Sequence, residues 1–220
     1  MFVKICGITA EEDALLAVAL GADAIGFVFA PSSRQIAPAL ARDIARRLPP
    51  EVLTVGVFRD EAPQRVVDIV NGSGLRGAQL HGHETVEQVQ WVHERVPIVI
   101  KALPGGDPAL ERADEFGADA ILVDSAAPGS GELFDWSLAE CAPLGRRVIL
   151  AGGLTPDNVA DAIGRVRPWG VDVSSGVESS PGHKDVRLVR DFIRSAHQAA
   201  PHGYRGDVDD RPFDWQLEDL

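Results

Sequence analysis

From residue 2 to about residue 199, short apolar runs alternate with longer stretches in which apolar and polar residues recur at helical spacing. FVKI is followed by EEDALLAVAL, AIGFVF by APALARDIARRL, LTVGVF by APQRVVDIV, and GAQLHG by TVEQVQWVHERV. PIVIKA is followed by PALERADEFG, DAILVDS by DWSLAEC, RVILAGG by TPDNVADAIGRV, and GVDVSSG by KDVRLVRDFIRSAHQ. The apolar runs are too short for helices, rich in Val and Ile, and apolar on both faces, as strands of a buried parallel sheet should be. Thr155-Pro156-Asp157 puts a capping residue before Pro at a first helical position, which predicts a helix start there.

Eight strand–helix units with strand starts every 20 to 29 residues predict an α/β fold, a (β/α)8 or TIM barrel. An open doubly wound sheet is the rival, but CGITAEED after the first strand lacks the G-x-G-x-x-G of a dinucleotide site. The pattern stops near residue 200. PHGYRGDVDDRPFDWQLEDL carries six acidic and two basic side chains and reads as an acidic C-terminal tail, a solvated terminus or a segment that docks through Phe213 and Trp215. The expected organisation is one catalytic domain, residues 1–200, with a tail at 201–220.

Composition narrows the function. A chain of 220 residues, 45% hydrophobic, can form one sizeable core. It has no run of about 18 apolar residues and no basic-then-apolar leader, so a cytoplasmic protein without a membrane partner is expected. A net charge of -12 opposes nucleic-acid binding, and an anionic ligand would need a locally positive site. Cys6 and Cys141 have neither metal-ligand spacing nor a disulfide framework, and one of them is accounted for as a core residue.

In a barrel of this kind the chemistry lies just after each strand, which nominates Cys6, Arg34, Asp60, His81, Lys101, Asp124, Gly152 and Ser174. Lys4 and Cys6 share a face of the first strand, two residues or roughly 6 to 7 Å apart. An ammonium there would favour a thiolate able to act as base or nucleophile; the alternative is an inert buried thiol. Asp124 closes AILVDS, where partial desolvation suits a carboxyl to proton donation; otherwise it is a cap or ion-pair partner. The glycine-bearing ends LAGGL and VSSGVESSPG fall on adjacent strands, where backbone N–H groups can hold a phosphate; the alternative is a pair of tight turns. Arg34, in PSSRQI, either grips a carboxylate with two parallel hydrogen bonds or is an exposed loop arginine. His81, in QLHGHE, is either a ligand contact or a structural donor.

Taken together, KICGIT, GADAIGFVF with SSRQI, VGVF, QLHG, VDS followed by FDW, AGGLTPDNV, and GVDVSSGVE with GHKD resemble the phosphoribosylanthranilate isomerase family of tryptophan biosynthesis. The likeness runs in the family's order over about residues 2–195. It implies an Amadori rearrangement of N-(5-phosphoribosyl)anthranilate to the 1-deoxyribulose 5-phosphate aniline, without cofactor or metal. It also implies Cys6 as general base and Asp124 as general acid, Arg34 on the anthranilate carboxylate, and the phosphate on Gly153, Ser175 and Gly176; His81 is kept beside these as a candidate substrate contact. The chain departs from the family at PGSGELFDW, where relatives usually show Gly-Gly-Thr-Gly, and in the acidic tail, which leaves monomer or homodimer open. A histidine-pathway isomerase or a dual-substrate version is disfavoured because those usually place an aspartate where Cys6 stands. A noncatalytic phosphate binder would need neither Cys6 nor Asp124.

Overall fold

The computed structural model describes residues 1–124 and 146–200. Strands β1 (Phe2–Cys6), β2 (Ala24–Val28), β3 (Leu53–Phe58), β4 (Gly77–Leu80), β5 (Ile98–Pro104), β6 (Ala120–Asp124), β7 (Val148–Leu150) and β8 (Gly170–Val173) pair in chain order, all parallel. The barrel closes where β8 pairs with β1, with Lys4 opposite Asp172. The expected barrel is therefore the observed one.

Alternation of side chains divides the apolar residues into two cores. Inward-facing Phe2, Leu53, Val55, Ile100 and Leu122 fill the barrel, and Trp169 stacks on Phe2 at its lower end with ring centroids 4.5 Å apart. Outward-facing Val3, Ile25, Phe27, Val99 and Val123 pack under the helices. That double burial explains why the strands read as continuous apolar runs.

Among the described residues the α-helices are α1 (Glu11–Ala19), α2 (Pro38–Ala45), α3 (Pro63–Ser73), α4 (Val86–His93), α5 (Val159–Val166) and α6 (Val186–Ala199). Thr85 and Gln88 form a reciprocal capping box at the start of α4, and the Asp185 carboxylate accepts two N–H groups at the start of α6.

Three local expectations change. PALERADEFG forms a 3-10 segment, Pro108–Phe116, interrupted by non-helical backbone at Arg112, rather than an α-helix. Thr155-Pro156-Asp157 forms a turn ahead of α5, and Asn158 takes the capping position; its side chain accepts from the Thr155 N–H and donates to the Gly153 carbonyl. Between β8 and α6 the chain adds a 3-10 turn, Ser175–Val177, and a small antiparallel pair, β9 (Glu178–Ser180) and β10 (His183–Lys184). The expected helix DWSLAEC and the tail lie outside the described residues.

The tetrapeptide GADA precedes both β2 and β6, residues 21–24 and 117–120, and does the same work twice. Asp23 accepts the Val3 N–H on its carboxylate at 2.8 Å and returns its own N–H to the Val3 carbonyl at 2.9 Å. Asp119 does so with Val99, at 2.7 and 2.9 Å. Each aspartate thus pins the base of its strand to the preceding one. Asp119→Ala should lower stability by about 1–3 kcal/mol, because the Val99 N–H loses its acceptor. Urea unfolding checks this, and a change below about 0.5 kcal/mol, the ordinary surface effect, would remove the pin.

Candidate active site

A cavity of about 590 Å³ opens at the C-terminal ends of the strands. Cys6, Arg34, His81, Asp124, Gly153, Ser175 and Gly176 all line it, so the structure brings together every residue that the resemblance nominated. Gly152 and Ser174 line it too. Asp60 does not; its carboxylate accepts the His83 N–H in the loop after β3.

Cys6 sits at the inner end of a buried charged cluster. Lys4, fully buried, donates to Asp172 at 2.9 Å. Lys184 donates to Glu178 at 2.8 Å and to the Ser174 carbonyl at 3.1 Å. Glu178 is also gripped by Arg34, Nε and Nη2 each at 2.8 Å. Burial works against the Glu178 charge, but Arg34 and Lys184 outweigh it and hold the carboxyl below the usual range. Burial pulls Lys184 below the ordinary lysine value, although Glu178 opposes it. Burial disfavours the Lys4 ammonium as well, yet Asp172 and Cys6 keep it above the usual value.

This corrects the expected state of the thiol. Burial pushes Cys6 up from 9.0, and Asp172 adds to the rise; Lys4 and Lys184 pull it down without winning. Lys4 is less effective than sequence spacing suggests because its charge is already neutralised by Asp172. The resting form is the thiol.

Glycines make room for these groups. At Gly26 on β2, a β-carbon would meet Cys6 Sγ at 2.8 Å and Lys4 Cε at 3.2 Å. Gly7 turns the chain out of β1 at φ +76°, and a β-carbon there would collide with Arg34 Cδ and Ser174 Oγ at 2.6 and 2.7 Å. Gly152 and Gly153 also take left-handed backbone, φ 89° and 62°, which brings main chain rather than side chain to the cavity wall beside Ser175 and Gly176.

On the opposite wall, Asp124 Oδ2 lies 3.1 Å from His81 Nε2, and the other ring nitrogen, Nδ1, lies 3.0 Å from Gln79 Nε2. The loop carrying His81 is anchored from below. Lys101 donates to the Leu80 and Gly82 carbonyls and to Glu84 at 2.7 Å, while Glu84 accepts the N–H groups of Gly82 and Asp60. Lys101 also lines the cavity, with its ammonium engaged by the loop.

Asp172, Glu178, Lys184, Gln79 and Glu84 were not nominated from sequence. Glu178 and Lys184 stand inside GVDVSSGVE and GHKD, and Ser-Pro-Gly between them is a turn signal that could have paired them. Gln79 and Asp172 could have been found as polar residues in inward register among apolar neighbours. Among the described residues, no group of three or more His, Cys, Asp or Glu is placed to hold a metal ion.

A closed (β/α)8 barrel whose mouth holds a buried thiol, a carboxylate, an arginine and glycine-bearing strand ends places the chain among barrel enzymes that work on small anionic molecules. The sequence pattern of N-(5'phosphoribosyl)anthranilate (PRA) isomerase matches residues 3–195, and the chain belongs to that family. It is 52% identical over 204 residues to the N-(5'-phosphoribosyl)anthranilate isomerase of Desulforudis audaxviator, covering 90% of this chain and 98% of that one. The crystal structure of the Thermus thermophilus phosphoribosyl anthranilate isomerase superposes with a TM-score of 0.84 at 44% identity, covering 90% and 99% of the two chains. A phosphoribosyl anthranilate isomerase in complex with reduced 1-(o-carboxyphenylamino)-1-deoxyribulose 5-phosphate superposes at 0.79 with 44% identity and the same coverage.

Because the thiolate is the form that alkylates, the rate of Cys6 modification by iodoacetamide should rise about tenfold per pH unit and go on rising past pH 9.0. Peptide mass spectrometry of timed samples checks this. A plateau below pH 8 would show that the cations win over burial.

Proposed function

We propose that Cys6 and Asp124 carry the family's isomerisation of N-(5'-phosphoribosyl)anthranilate, as base and acid on opposite walls of one cavity. The observation that supports this best is their placement: both are buried at the mouth, on β1 and β6, and both line the space that a substrate would fill. In this reading Asp124 gives a proton to the ribose ring oxygen as its bond to C1 breaks, which leaves an iminium at C1. The iminium acidifies the C2 hydrogen, and the Cys6 thiolate removes it. The resulting enol amine becomes the ketone when C1 takes up a proton and the C2 hydroxyl loses one, so no atom is gained or lost overall.

Binding is assigned to the same walls. Arg34 takes the anthranilate carboxylate, with Glu178 fixing its guanidinium through two hydrogen bonds. The phosphate rests on Gly153, Ser175 and Gly176, and His81 adjoins the acid. Around Cys6 three cations, Lys4, Lys184 and Arg34, face two carboxylates, Asp172 and Glu178; that excess of positive charge suits an anionic substrate in a chain of net charge -12. Among the described residues no helix is long and apolar enough to cross a membrane. We assign the enzyme to the cytoplasm, as a biosynthetic enzyme with a phosphorylated small-molecule substrate and no nucleic-acid or membrane partner. Both a monomer and a homodimer are compatible with the barrel; a monomeric form engineered from a dimeric relative in Thermotoga maritima has been crystallised.

The pH profile follows from the resting thiol. Activity needs Cys6 ionised and the acid protonated. Burial lifts the thiol above 9.0, whereas carboxyl and imidazole groups ordinarily titrate well below it. Between the two values each gain in thiolate is cancelled by a loss of protonated acid. kcat/KM should therefore form a broad plateau whose alkaline edge lies above pH 9.0 and belongs to Cys6. An alkaline edge near pH 7 would mean the opposite order of ionisation.

Cys6→Ser and Asp124→Asn keep the shape and remove the base and the acid. Each should lower turnover about 100- to 10,000-fold, roughly 3 to 5 kcal/mol of barrier, with KM little changed. The assay is fluorescence loss of phosphoribosylanthranilate generated in place. Wild-type turnover in either variant would remove that residue from the mechanism, and no turnover by the unmodified protein would sink the reading.

We also assign the activity to residues 1–200 alone. Deleting residues 201–220 removes none of the proposed site residues and should leave the turnover number within about threefold. A hundredfold loss would make the tail part of the site.

A further inference from the structure

Gln79 is 1% exposed, points into the barrel from β4, and its Oε1 has no hydrogen-bond partner among the described residues. Its Nε2 faces His81 Nδ1 at 3.0 Å, and His81 Nε2 faces Asp124 Oδ2 at 3.1 Å. A buried amide oxygen without a donor is costly, so an aliphatic residue of the same size would be the more stable choice. The position asks for something that only an amide supplies.

An amide has a donor end and an acceptor end, and half a turn about its last bond exchanges them. When the imidazole is neutral and carries its proton on Nε2, Nδ1 is an acceptor and the Gln79 NH2 group satisfies it; Oε1 is then left over. When the imidazole is protonated, Nδ1–H is a donor, and only Oε1 can accept it. The observed arrangement matches the neutral state, and its unpaired oxygen is the group that the charged state would use.

We propose that His81 is the proton carrier that reloads Asp124 after each turnover, and that Gln79 holds the ring in place through both of its protonation states. The proposal rests on Asp124 being the acid. After Asp124 has given its proton to the ring oxygen, it is a carboxylate facing Nε2. His81, partly exposed in the cavity, takes a proton from solvent at Nδ1, and the Gln79 amide turns to accept it. The Nε2 proton then passes to Asp124 Oδ2, leaving the ring neutral with its proton on Nδ1. Loss of that proton to solvent and uptake of another at Nε2 returns the amide to its first orientation. One proton enters for each one delivered, and no oxidant or further reactant is needed.

The charged and titratable groups that share the cavity with His81 are Asp124 from β6, Lys101 from β5, Arg59 after β3, Asp107 after β5, Glu84 and His83 in its own loop, and, across the cavity, Cys6 from β1, Arg34 after β2 and Asp172 from β8. Lys101 and Glu84 neutralise one another at 2.7 Å. Asp124 is the charged group in direct contact with the ring. His81 and Gln79 act through Asp124 and are positioning residues.

Two substitutions test the amide. Gln79→Glu offers only acceptors to Nδ1 and favours the imidazolium; Gln79→Met offers no hydrogen bond and favours neither orientation. In kcat–pH profiles the lower edge, which belongs to the acid, should move down by about one unit in Gln79→Glu, because an imidazolium beside Asp124 favours its carboxylate, and stay in place in Gln79→Met, while the alkaline edge of Cys6 stays in both. KM should remain within about twofold in both. Nitrogen-15 spectra of labelled His81 should show the Nε2–H tautomer in the neutral wild-type ring, a readout that stands even if a variant fails to fold. A neutral ring protonated on Nδ1, or a lower edge that moves in neither folded variant while kcat falls, overturns the relay. If Asp124→Asn abolishes turnover and the lower edge is unmoved, the relay alone fails; if Asp124→Asn turns over like wild type, the acid assignment fails and the relay with it.

Discussion

The ion pair between Lys4 and Asp172 is the constraint around which the barrel is organised. The two residues lie opposite each other in the β1–β8 register, where the first strand meets the last and the sheet closes. Burying two charges carries a desolvation cost that their attraction only partly offsets, so the pair is a weak source of net stability. Removing one partner is a different matter: it leaves an uncompensated charge in the barrel interior, at a cost of about 3–5 kcal/mol. The pair therefore specifies more than it stabilises. A shift of one residue in the closing register would turn Asp172 out of the barrel and leave Lys4 alone inside.

The same pair sets the chemistry above it. Cys6 is two residues up the strand from Lys4 and shares its face, and Gly26 leaves the space that both occupy. Lys4 stabilises a thiolate, and Asp172 takes much of that stabilisation back. The net result is a protonated resting thiol in a cluster that still holds one more positive charge than negative. Such a cluster keeps the cysteine out of adventitious oxidation, which needs the thiolate, while leaving a place for the carboxylate of a ligand.

The fold was legible because a parallel barrel buries both faces of every strand, so each strand is a continuous apolar run and each helix an amphipathic one. Boundaries were less so. Phe116 and Leu110 give PALERADEFG a helical look, but Arg112 breaks its backbone, a tertiary outcome that spacing does not reveal. Cys6, Asp124 and Arg34 could be nominated because they stand at strand ends. Gln79, Asp172, Glu178 and Lys184 are harder to nominate, because register and turn signals place them but their significance lies in partners from 2 to 168 residues away. Lys101 shows the converse: the sequence nominates it as a strand end, but β5 runs on to Pro104, and the Lys101 ammonium fastens the loop of His81. Sequence spacing also fixed the distance between Lys4 and Cys6 but not the sign of the thiol's shift, which depends on how much water and which counter-charge surround it.

The two walls of the cavity solve opposite problems with the same economy of means. On the β1 and β8 side, the surroundings keep protonated the thiol that the proposed mechanism uses as its base, so its reactive ionisation state is a minor one. On the β4 and β6 side, the proposed acid, Asp124, stands 3.1 Å from the His81 imidazole. In the proposed mechanism a base held back and an acid kept supplied are complementary: the first would keep a stray thiolate from attacking a labile aldose derivative before its ring has opened, and the second would make ring opening the event that starts the reaction. The iminium formed in that event would bring the positive charge which a thiolate beside C2 otherwise lacks. Order of events would then be imposed by electrostatics, with the protonation step on one wall creating the charge that makes proton removal on the other wall favourable.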